Sequence, residues 1–136
     1  MAPRVSADEY THEIEVQYRD LDPRAHVNHA VYVSYMEQAK GRYMADVLEV
    51  DLSEAGTVVG HLEVDFRSPV EPGETVSVAV RPVDVGETSF TLEYTLTVDG
   101  QVVATGTTVS VRLGEDGRPA ALPEVWRDGL EPRRGE

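Results

Sequence analysis

The stretch Tyr18–Lys40 reads YRDLDPRAHVNHAVYVSYMEQAK. It opens at the end of a strand-like segment with two aspartates, Asp20 and Asp22, and passes through a polar turn into a long helical pattern. Pro23 ends the strand because it donates no ladder hydrogen bond and holds the preceding residue extended. The free N–H groups and dipole of a helix start stabilise negative charge. The stretch therefore predicts a carboxylate, Asp22, close to a site that can stabilise an oxyanion.

The helical pattern begins after Asn28, a favourable N-cap residue, and is predicted to run to about Val50. Apolar residues recur at spacings of three and four and form one wide stripe. The stripe consists of Tyr32, Tyr35, Met36, Ala39, Tyr43 and Val47. Gly41 costs about 1 kcal/mol relative to alanine inside a helix, so we expect close approach of another backbone there.

Strand patterns lie on both sides of this helix. Residues 12–18 alternate, with Ile14, Val16 and Tyr18 on one face. From Val58 onward four further alternating segments are separated by turn signals, of which Asp99-Gly100 is the clearest hairpin. The order strand, long helix, four strands predicts an α+β fold in which a five-stranded antiparallel sheet curls around one central helix.

Composition limits the class of protein. At 136 residues the chain is expected to form a single domain, 1–136, with its core at about 10–113 and a tail at 114–136. The tail is polar and broken by proline and glycine, so no helix is predicted there; we expect Trp126 to dock back onto the body and the last residues to fray. The absence of cysteine excludes disulfides, iron–sulfur clusters and thiolate nucleophiles. No apolar run is long enough to span a membrane and the first residues lack a signal-peptide pattern, so we expect a cytoplasmic protein.

The net charge of −13 disfavours binding to nucleic acid or to anionic membranes, because the chain has no basic stripe. Lys40 is the only lysine, against eleven arginines. Two interpretations remain open. The chain is an acidic protein from a genome biased toward arginine codons, or it is halophilic, with a surface adapted to high salt.

The quoted stretch resembles the N-terminal motif of hotdog-fold acyl-CoA thioesterases of the 4-hydroxybenzoyl-CoA thioesterase type, D-x-D-x-x-G-H-V-N-N-x-x-Y-x-x-Y-x-E-x-A-R. Two later segments, DFRSPVEPGETVSV and ATGTTVSV, are similar to the family's second strand with its turn and to its closing strand. The resemblance covers about residues 10–113. Ala25 replaces the usual glycine and His29 replaces the second asparagine, and both changes bear on the substrate.

The resemblance implies a hydrolase that cleaves a fatty or aromatic acyl-CoA to the free acid and CoA. Asp22 aligns with the catalytic aspartate, which either attacks the thioester carbonyl or draws a proton from water. The alternative from the residues alone is a turn aspartate that accepts local N–H bonds. The backbone N–H near His29 would point at the thioester oxygen, and His26 would orient the aspartate or the substrate; a partly buried histidine bonded to a carbonyl is the structural alternative for His26.

Further candidate residues follow from the same resemblance. Asn28 is an N-cap, a contact for substrate or water, or both. Glu37 is a functional or interface residue, or an ordinary partner of Lys40. Tyr32 and Tyr35 belong to the core or to the wall of the substrate pocket.

Binding of the CoA phosphates needs positive charge. The chain has no P-loop or glycine-rich cradle, so arginines are the candidates. Those considered most suitable are Arg67, Arg81 and Arg112, each of which is equally compatible with a solvated strand position. No cofactor is expected beyond CoA as part of the substrate, and no metal site, because His26 precedes the N-cap and need not converge with His29.

The resemblance also implies a homodimer whose sheets join edge to edge, with dimers often pairing into homotetramers. Pairing of this kind covers an open sheet edge. Two other functions remain open. One is an acyl-carrier-protein thioesterase, although an acidic carrier would be repelled by an acidic surface. The other is a non-catalytic acyl-CoA-binding module.

Overall fold

The structure is a computed structural model that describes residues 10–130. Five strands and two helices are formed by these residues. The strands are β1 (Tyr10–Glu15), β2 (Thr57–Phe66), β3 (Thr75–Val85), β4 (Ser89–Val98) and β5 (Gln101–Arg112), and the helices are α1 (His29–Val47) and α2 (Glu124–Leu130). None of the described helices is long and apolar enough to cross a bilayer.

The five strands form one antiparallel sheet in the order β1-β3-β4-β5-β2. Alternate residues of the central strand β4, from Phe90 to Val98, are buried, while the residues between them are half-buried on the other face. This alternation gives the sheet one apolar face for α1 to cover. The predicted α+β architecture, with five antiparallel strands and one long helix, is confirmed.

Helix α1 begins as predicted. The Asn28 Oδ1 accepts a hydrogen bond from the Ala30 N–H at 2.9 Å, which satisfies one of the free donors of the first turn. The helix ends at Val47, three residues before the predicted limit. Glu49 adopts φ +58°, and this left-handed turn returns the Val50 N–H to the Met44 carbonyl at 3.2 Å.

The apolar stripe of α1 is buried from Tyr32 to Tyr43, and Lys40 and Met44 are buried with it. Val47, the last residue of the stripe, is partly buried. The Met36 side chain of α1 packs against the sheet at Gly106 of β5. A Cβ atom at this position would lie 2.6 Å from the Cε and 2.8 Å from the Sδ of Met36. Gly106 therefore makes room for Met36. The expected approach of a backbone at Gly41 was wrong, since the nearest atom there is the Leu52 side chain at 3.7 Å.

The first strand is shorter than its alternation suggested. β1 ends at Glu15, and Tyr18, predicted on the buried face, is 81% exposed. The reason is local. The Gln17 N–H donates to the Asp20 carboxylate at 2.8 Å, and this hydrogen bond closes a 3₁₀ turn over residues 18–20. A hydrogen bond between a side chain and the backbone thus takes the place of further pairing between β1 and its neighbouring strand.

The C-terminal segment packs on the body through α2. Trp126 meets Phe90 edge to face, with ring centroids 6.2 Å apart, and the Arg112 guanidinium lies 5.8 Å from the centre of the Trp126 ring. Arg127 also donates to the Gly86 carbonyl at 2.8 Å. The suggestion that Trp126 docks is confirmed, although the tail was predicted without a helix. The suggestion that the last residues fray concerns 131–136, which lie outside the described residues.

Replacement of Trp126 by alanine is expected to lower the free energy of unfolding by about 3 kcal/mol or more, because it removes a large ring that is 4% exposed. Denaturant titration followed by circular dichroism measures the change. Val125→Ala is the matched control, since Val125 is 50% exposed and its loss should cost no more than about 0.5 kcal/mol. Equal, small effects of the two substitutions would show that α2 does not stabilise the body.

Candidate active site

The two aspartates at the end of the first strand have different roles. The Asp20 carboxylate accepts the Gln17 N–H and the Tyr35 hydroxyl, each at 2.8 Å, and the Asp20 carbonyl accepts the Asn28 N–H at 2.9 Å. Burial, reinforced by the Asp20 carboxylate, raises the pKa of Tyr35, so that this hydroxyl remains a donor. Asp20 is therefore the structural member of the pair, and it ties the turn to the helix start.

Asp22 lies at the mouth of a tight loop. Its N–H donates to the His26 carbonyl at 2.8 Å, and its own carbonyl accepts the Ala25 N–H at 2.9 Å. Its carboxylate accepts four hydrogen bonds. The Oδ1 accepts the Arg24 N–H at 2.8 Å and the His26 N–H at 3.4 Å, and the Oδ2 accepts the Arg24 Nε and Nη2 at 3.1 and 2.6 Å. The Arg24 guanidinium, with these N–H groups, lowers the pKa of Asp22.

Ala25 gives the loop its sharp turn. Its φ is +61°, in the left-handed region that favours glycine. This explains in physical terms why the motif resembled by this sequence has glycine here. The alanine retains the loop because the hydrogen bonds on both sides of it fix the backbone.

A cleft of about 300 Å³ opens beside this loop. It is bounded by the loop, by the first turns of α1 and by the segment that follows β2. Asp22 and His26 contribute from the loop, His29 and Tyr32 from α1, and Phe66 and Arg67 from the third side. Phe66 meets the rings of His29 and Tyr32 edge to face at 6.0 and 5.0 Å. The cleft therefore combines an apolar aromatic wall with one carboxylate and the N-terminus of a long helix.

The polar residues of the motif reach the cleft in different ways. His26 contacts Asp22 through its main chain, while its Nε2 lies 4.0 Å from the Glu71 carboxylate. His29 is the first residue of α1, so its N–H belongs to the turn whose donors are not used within the helix. Asn28 caps the helix through its Oδ1 and does not itself line the cleft.

Tyr32 and Tyr35 are both buried, yet they serve different places. Tyr32 lines the cleft and donates to the Ser68 carbonyl at 3.1 Å, whereas Tyr35 is turned toward Asp20. Tyr32 is thus part of the pocket wall. Tyr35 acts on the site through the loop.

Glu37 does not line the cleft. Its carboxylate lies 2.9 Å from the Lys40 ammonium, and the Lys40 side chain is only 2% exposed while that of Glu37 is 44% exposed. A buried ammonium without a counter-ion would be costly, so the half-exposed Glu37 is what allows Lys40 to lie in the core. The pairing with Lys40 that was the alternative for Glu37 is therefore present, although Lys40 lies in the core rather than at the surface.

The three arginines expected to bind the CoA phosphates do not converge in this chain. Arg67 lines the cleft, Arg81 pairs with Glu93 on the outer face of the sheet, and Arg112 bonds the Ala121 carbonyl beside α2. Sequence reasoning missed Arg24, which lies in the cleft on Asp22. The signal was present in the sequence, since an arginine two residues after an aspartate in a proline turn can reach back to it.

Among residues 10–130, no group of three or more histidine, aspartate and glutamate side chains comes together in a way that could hold a metal ion. His26 and His29 lie on the loop and on the helix respectively, and each has its own neighbours in the cleft. The histidines of the motif therefore contribute to the cleft individually.

Comparison with known proteins identifies the family. The model of the thioesterase-like superfamily matches residues 16–130. The crystal structure of a thioesterase from Thermus thermophilus, complexed with coenzyme A and Zn, is 41% identical in sequence and superposes with a TM-score of 0.83, covering 90% of this chain and 97% of that one. The 1,4-dihydroxy-2-naphthoyl-CoA hydrolase of Synechococcus elongatus is 26% identical, over 90% of this chain and 96% of its own.

A third relative shows the fold alone. A 1,4-dihydroxy-2-naphthoyl-CoA thioesterase from Synechocystis is 19% identical, with a TM-score of 0.83 over 90% of this chain and 95% of that one. Taken together, the fold, the cleft and the matches define a hotdog thioesterase. The chain belongs to the thioesterase-like superfamily. It is a thioester hydrolase, which confirms the resemblance carried by Tyr18–Lys40.

Ala25→Gly is expected to raise the free energy of unfolding by about 0.5–1 kcal/mol. The left-handed conformation at this position costs an L-residue about 1–2 kcal/mol, and glycine removes that cost. Glycine also makes the unfolded chain more flexible, which offsets about 0.4–1 kcal/mol of the gain. Chemical denaturation provides the measurement. Ala45→Gly, on the exposed side of α1, is the control and should destabilise by roughly 0.5–1 kcal/mol. If both substitutions destabilise, the loop is not strained at Ala25.

Proposed function

We propose that this protein hydrolyses an acyl-CoA thioester to the free acid and coenzyme A in the cleft beside Asp22. The observation that carries the proposal is the convergence, in one cleft, of the Asp22 carboxylate and the N-terminal turn of α1. Coenzyme A bound to the 41%-identical relative supports the CoA moiety. The names of the naphthoyl-CoA relatives support an aromatic acyl group, and the aromatic wall of the cleft is compatible with it.

The N-terminal turn of α1 would polarise the carbonyl. The His29 N–H and the positive end of the helix dipole would act on the thioester oxygen, which becomes negative in the tetrahedral intermediate. Negative charge there is stabilised more than the neutral carbonyl is, so this interaction lowers the barrier rather than only strengthening binding. The N–H near His29 is the candidate donor.

Asp22 would supply the second half of the chemistry by one of two routes. As a nucleophile, it forms a bond to the carbonyl carbon, the C–S bond breaks, and water then hydrolyses the mixed anhydride to the acid and free Asp22. As a general base, it takes a proton from water as the oxygen attacks the carbon, and it returns the proton to the departing CoA thiolate. Both routes consume one water and yield acid and thiol.

We further propose that the enzyme is a homodimer built through β2. Within the described residues, β2 pairs only with β5, so its other edge is open. Its side chains include four exposed apolar residues, Val58, Val59, Leu62 and Phe66. An open apolar edge is normally covered, and a second copy offers the same edge to cover it. Phe66 also lines the cleft, so a partner at β2 would help to close the acyl pocket.

Asp22→Asn is expected to lower the rate of thiol release by about a hundredfold or more, because the amide neither attacks nor takes a proton. The assay follows free thiol from a panel of aliphatic and aromatic acyl-CoAs, at low salt and at about 1 M salt, where the screening length is about 3 Å. Asp84→Asn is the matched control, an exposed aspartate on β3 far along the chain from the loop.

The same panel separates the remaining functions. Saturable acyl-CoA binding without thiol release, unchanged in Asp22→Asn, would overturn hydrolysis in favour of a binding module. Release of thiol only from acyl-carrier-protein thioesters would move the substrate to the carrier. Equal rates for the wild type and Asp22→Asn would remove Asp22 from the chemistry.

Leu62→Arg is expected to convert the dimer to a monomer, because it places a charge in the apolar surface of β2. Size-exclusion chromatography with light scattering measures the mass. Val83→Arg on β3 is the control, since Val83 is also an exposed apolar residue but lies on a different strand. A wild type that is monomeric at all concentrations tested would contradict the proposed interface.

A further inference from the structure

The carboxylate proposed for catalysis has no acceptor capacity left. A carboxylate has about four lone-pair positions, and Asp22 accepts four hydrogen bonds. A group in this state can neither attack a carbonyl carbon nor take a proton from water, since each step needs a free lone pair. At least one bond must open before either route can begin.

The four bonds differ in how easily they open. Two come from backbone N–H groups, those of Arg24 and His26, which are fixed by the fold of the loop. The other two come from the Arg24 guanidinium, at the end of a long flexible arm whose side chain is 73% exposed. The Asp22 side chain is only 4% exposed, so it is covered by a group that itself lies in solvent. The guanidinium is the one cover that can leave while the loop remains intact.

We propose that Arg24 is a removable cover on Asp22. In the free enzyme its guanidinium masks the carboxylate, and it must swing away before catalysis. This inference rests on the proposed role of Asp22. Arg24 is a positioning residue in this scheme, because it acts through Asp22 rather than on the reacting atoms.

The strength of the cover can be bounded. Ion pairs with an exposed partner shift an equilibrium by a few fold at most, because water competes for both groups and salt screens them. The uncovered state is therefore well populated, and removal of the cover should speed hydrolysis by about two- to fivefold. The second consequence concerns basicity. Without the guanidinium the pKa of Asp22 rises, which makes the carboxylate a stronger base and nucleophile.

The surroundings of Asp22 define the pH experiment. The charged or titratable groups near it are Arg24 and His26 on its own loop, His29 and Tyr32 on α1, and Arg67 and Glu71 on the segment between β2 and β3. The ionised carboxylate is the active form, so activity falls as pH drops through its pKa. The acid limb of the pH–rate profile should therefore lie below the ordinary aspartate value of about 3.9 in the wild type. It should move to higher pH in Arg24→Gln.

The deciding experiment compares kcat and its pH profile for the wild type, Arg24→Gln and Arg24→Lys on the best acyl-CoA of the panel. The expected result is a plateau in Arg24→Gln about two- to fivefold above the wild type, with Arg24→Lys in between because an ammonium cannot bind both oxygens as a fork. A merely supporting role for Arg24 predicts a lower plateau. A plateau that falls or stays unchanged in a folded variant overturns the proposal.

Two further measurements test whether the effect comes from Arg24 acting on Asp22. Arg67→Gln removes the same charge from the same cleft without a bond to Asp22, and it should raise KM without raising the plateau; an equal rise would reduce the effect to general charge and overturn the cover. NMR titration of the Asp22 carboxyl needs no turnover. If the wild type hydrolyses nothing, the proposed function fails, while a higher Asp22 pKa in Arg24→Gln would still support the cover and an unchanged one would overturn it.

Discussion

The carboxylate of Asp20 holds the site together. One of its oxygens receives both the N–H of Gln17, before the turn, and the hydroxyl of Tyr35, two turns into α1, while its carbonyl receives the N–H of the cap residue Asn28. Strand end, turn and helix start are thus fixed to one residue. Asp20 lies two residues before Asp22. The hydrogen bonds of Asp20 therefore fix the position of the Asp22 carboxylate relative to the N-terminus of α1. Precise separation of reacting groups is what orientation in catalysis requires.

The buried face of the sheet positions helix α1. Alternate residues of β3, β4 and β5 form the floor on which α1 lies, and Gly106 lets Met36 approach that floor closely. The middle of α1 therefore packs against the sheet, while its first turn lies at the surface next to Phe66. A tightly packed interior transmits such constraints without slack. The same core that stabilises the protein therefore places the first turn of α1 beside solvent, where a substrate can enter.

Sequence patterns predicted the architecture because period and order decide it. The unbroken alternation from Phe90 to Val98, the stripe of α1 and the Asp99-Gly100 turn are local signals, and the sheet follows from them. The predictions that were wrong concern features that depend on hydrogen bonds between a side chain and the backbone, or on contacts between residues far apart in the sequence. The 3₁₀ turn that exposes Tyr18 needs the Asp20 bond, and the glycine that lies close to another element proved to be Gly106 rather than Gly41.

In the candidate site, too, the sequence predicted the features that depend on neighbouring residues and missed those that depend on contacts in the folded chain. Asp22, His26 and His29 could be placed together because they are neighbours in the chain next to a helix start. The sequence could not show which arginines join them, since Arg67 follows β2 and lines the cleft, whereas Arg81 lies on β3 and pairs with Glu93. Arg24 was overlooked because its role comes from a hydrogen-bond count at Asp22, which no spacing rule contains.

The burial of Lys40 has a consequence that does not concern catalysis. It is the only lysine in the sequence, and its side chain, on the buried face of α1, is 2% exposed. An acylating reagent or a lysine-modifying enzyme needs that amine free in solvent, and the folded body withholds it. Reaction at this side chain can occur only when the core opens, so the rate of amine labelling at Lys40 becomes a clock for the opening of the helix from the sheet. The protein thus carries a built-in chemical reporter of its own unfolding.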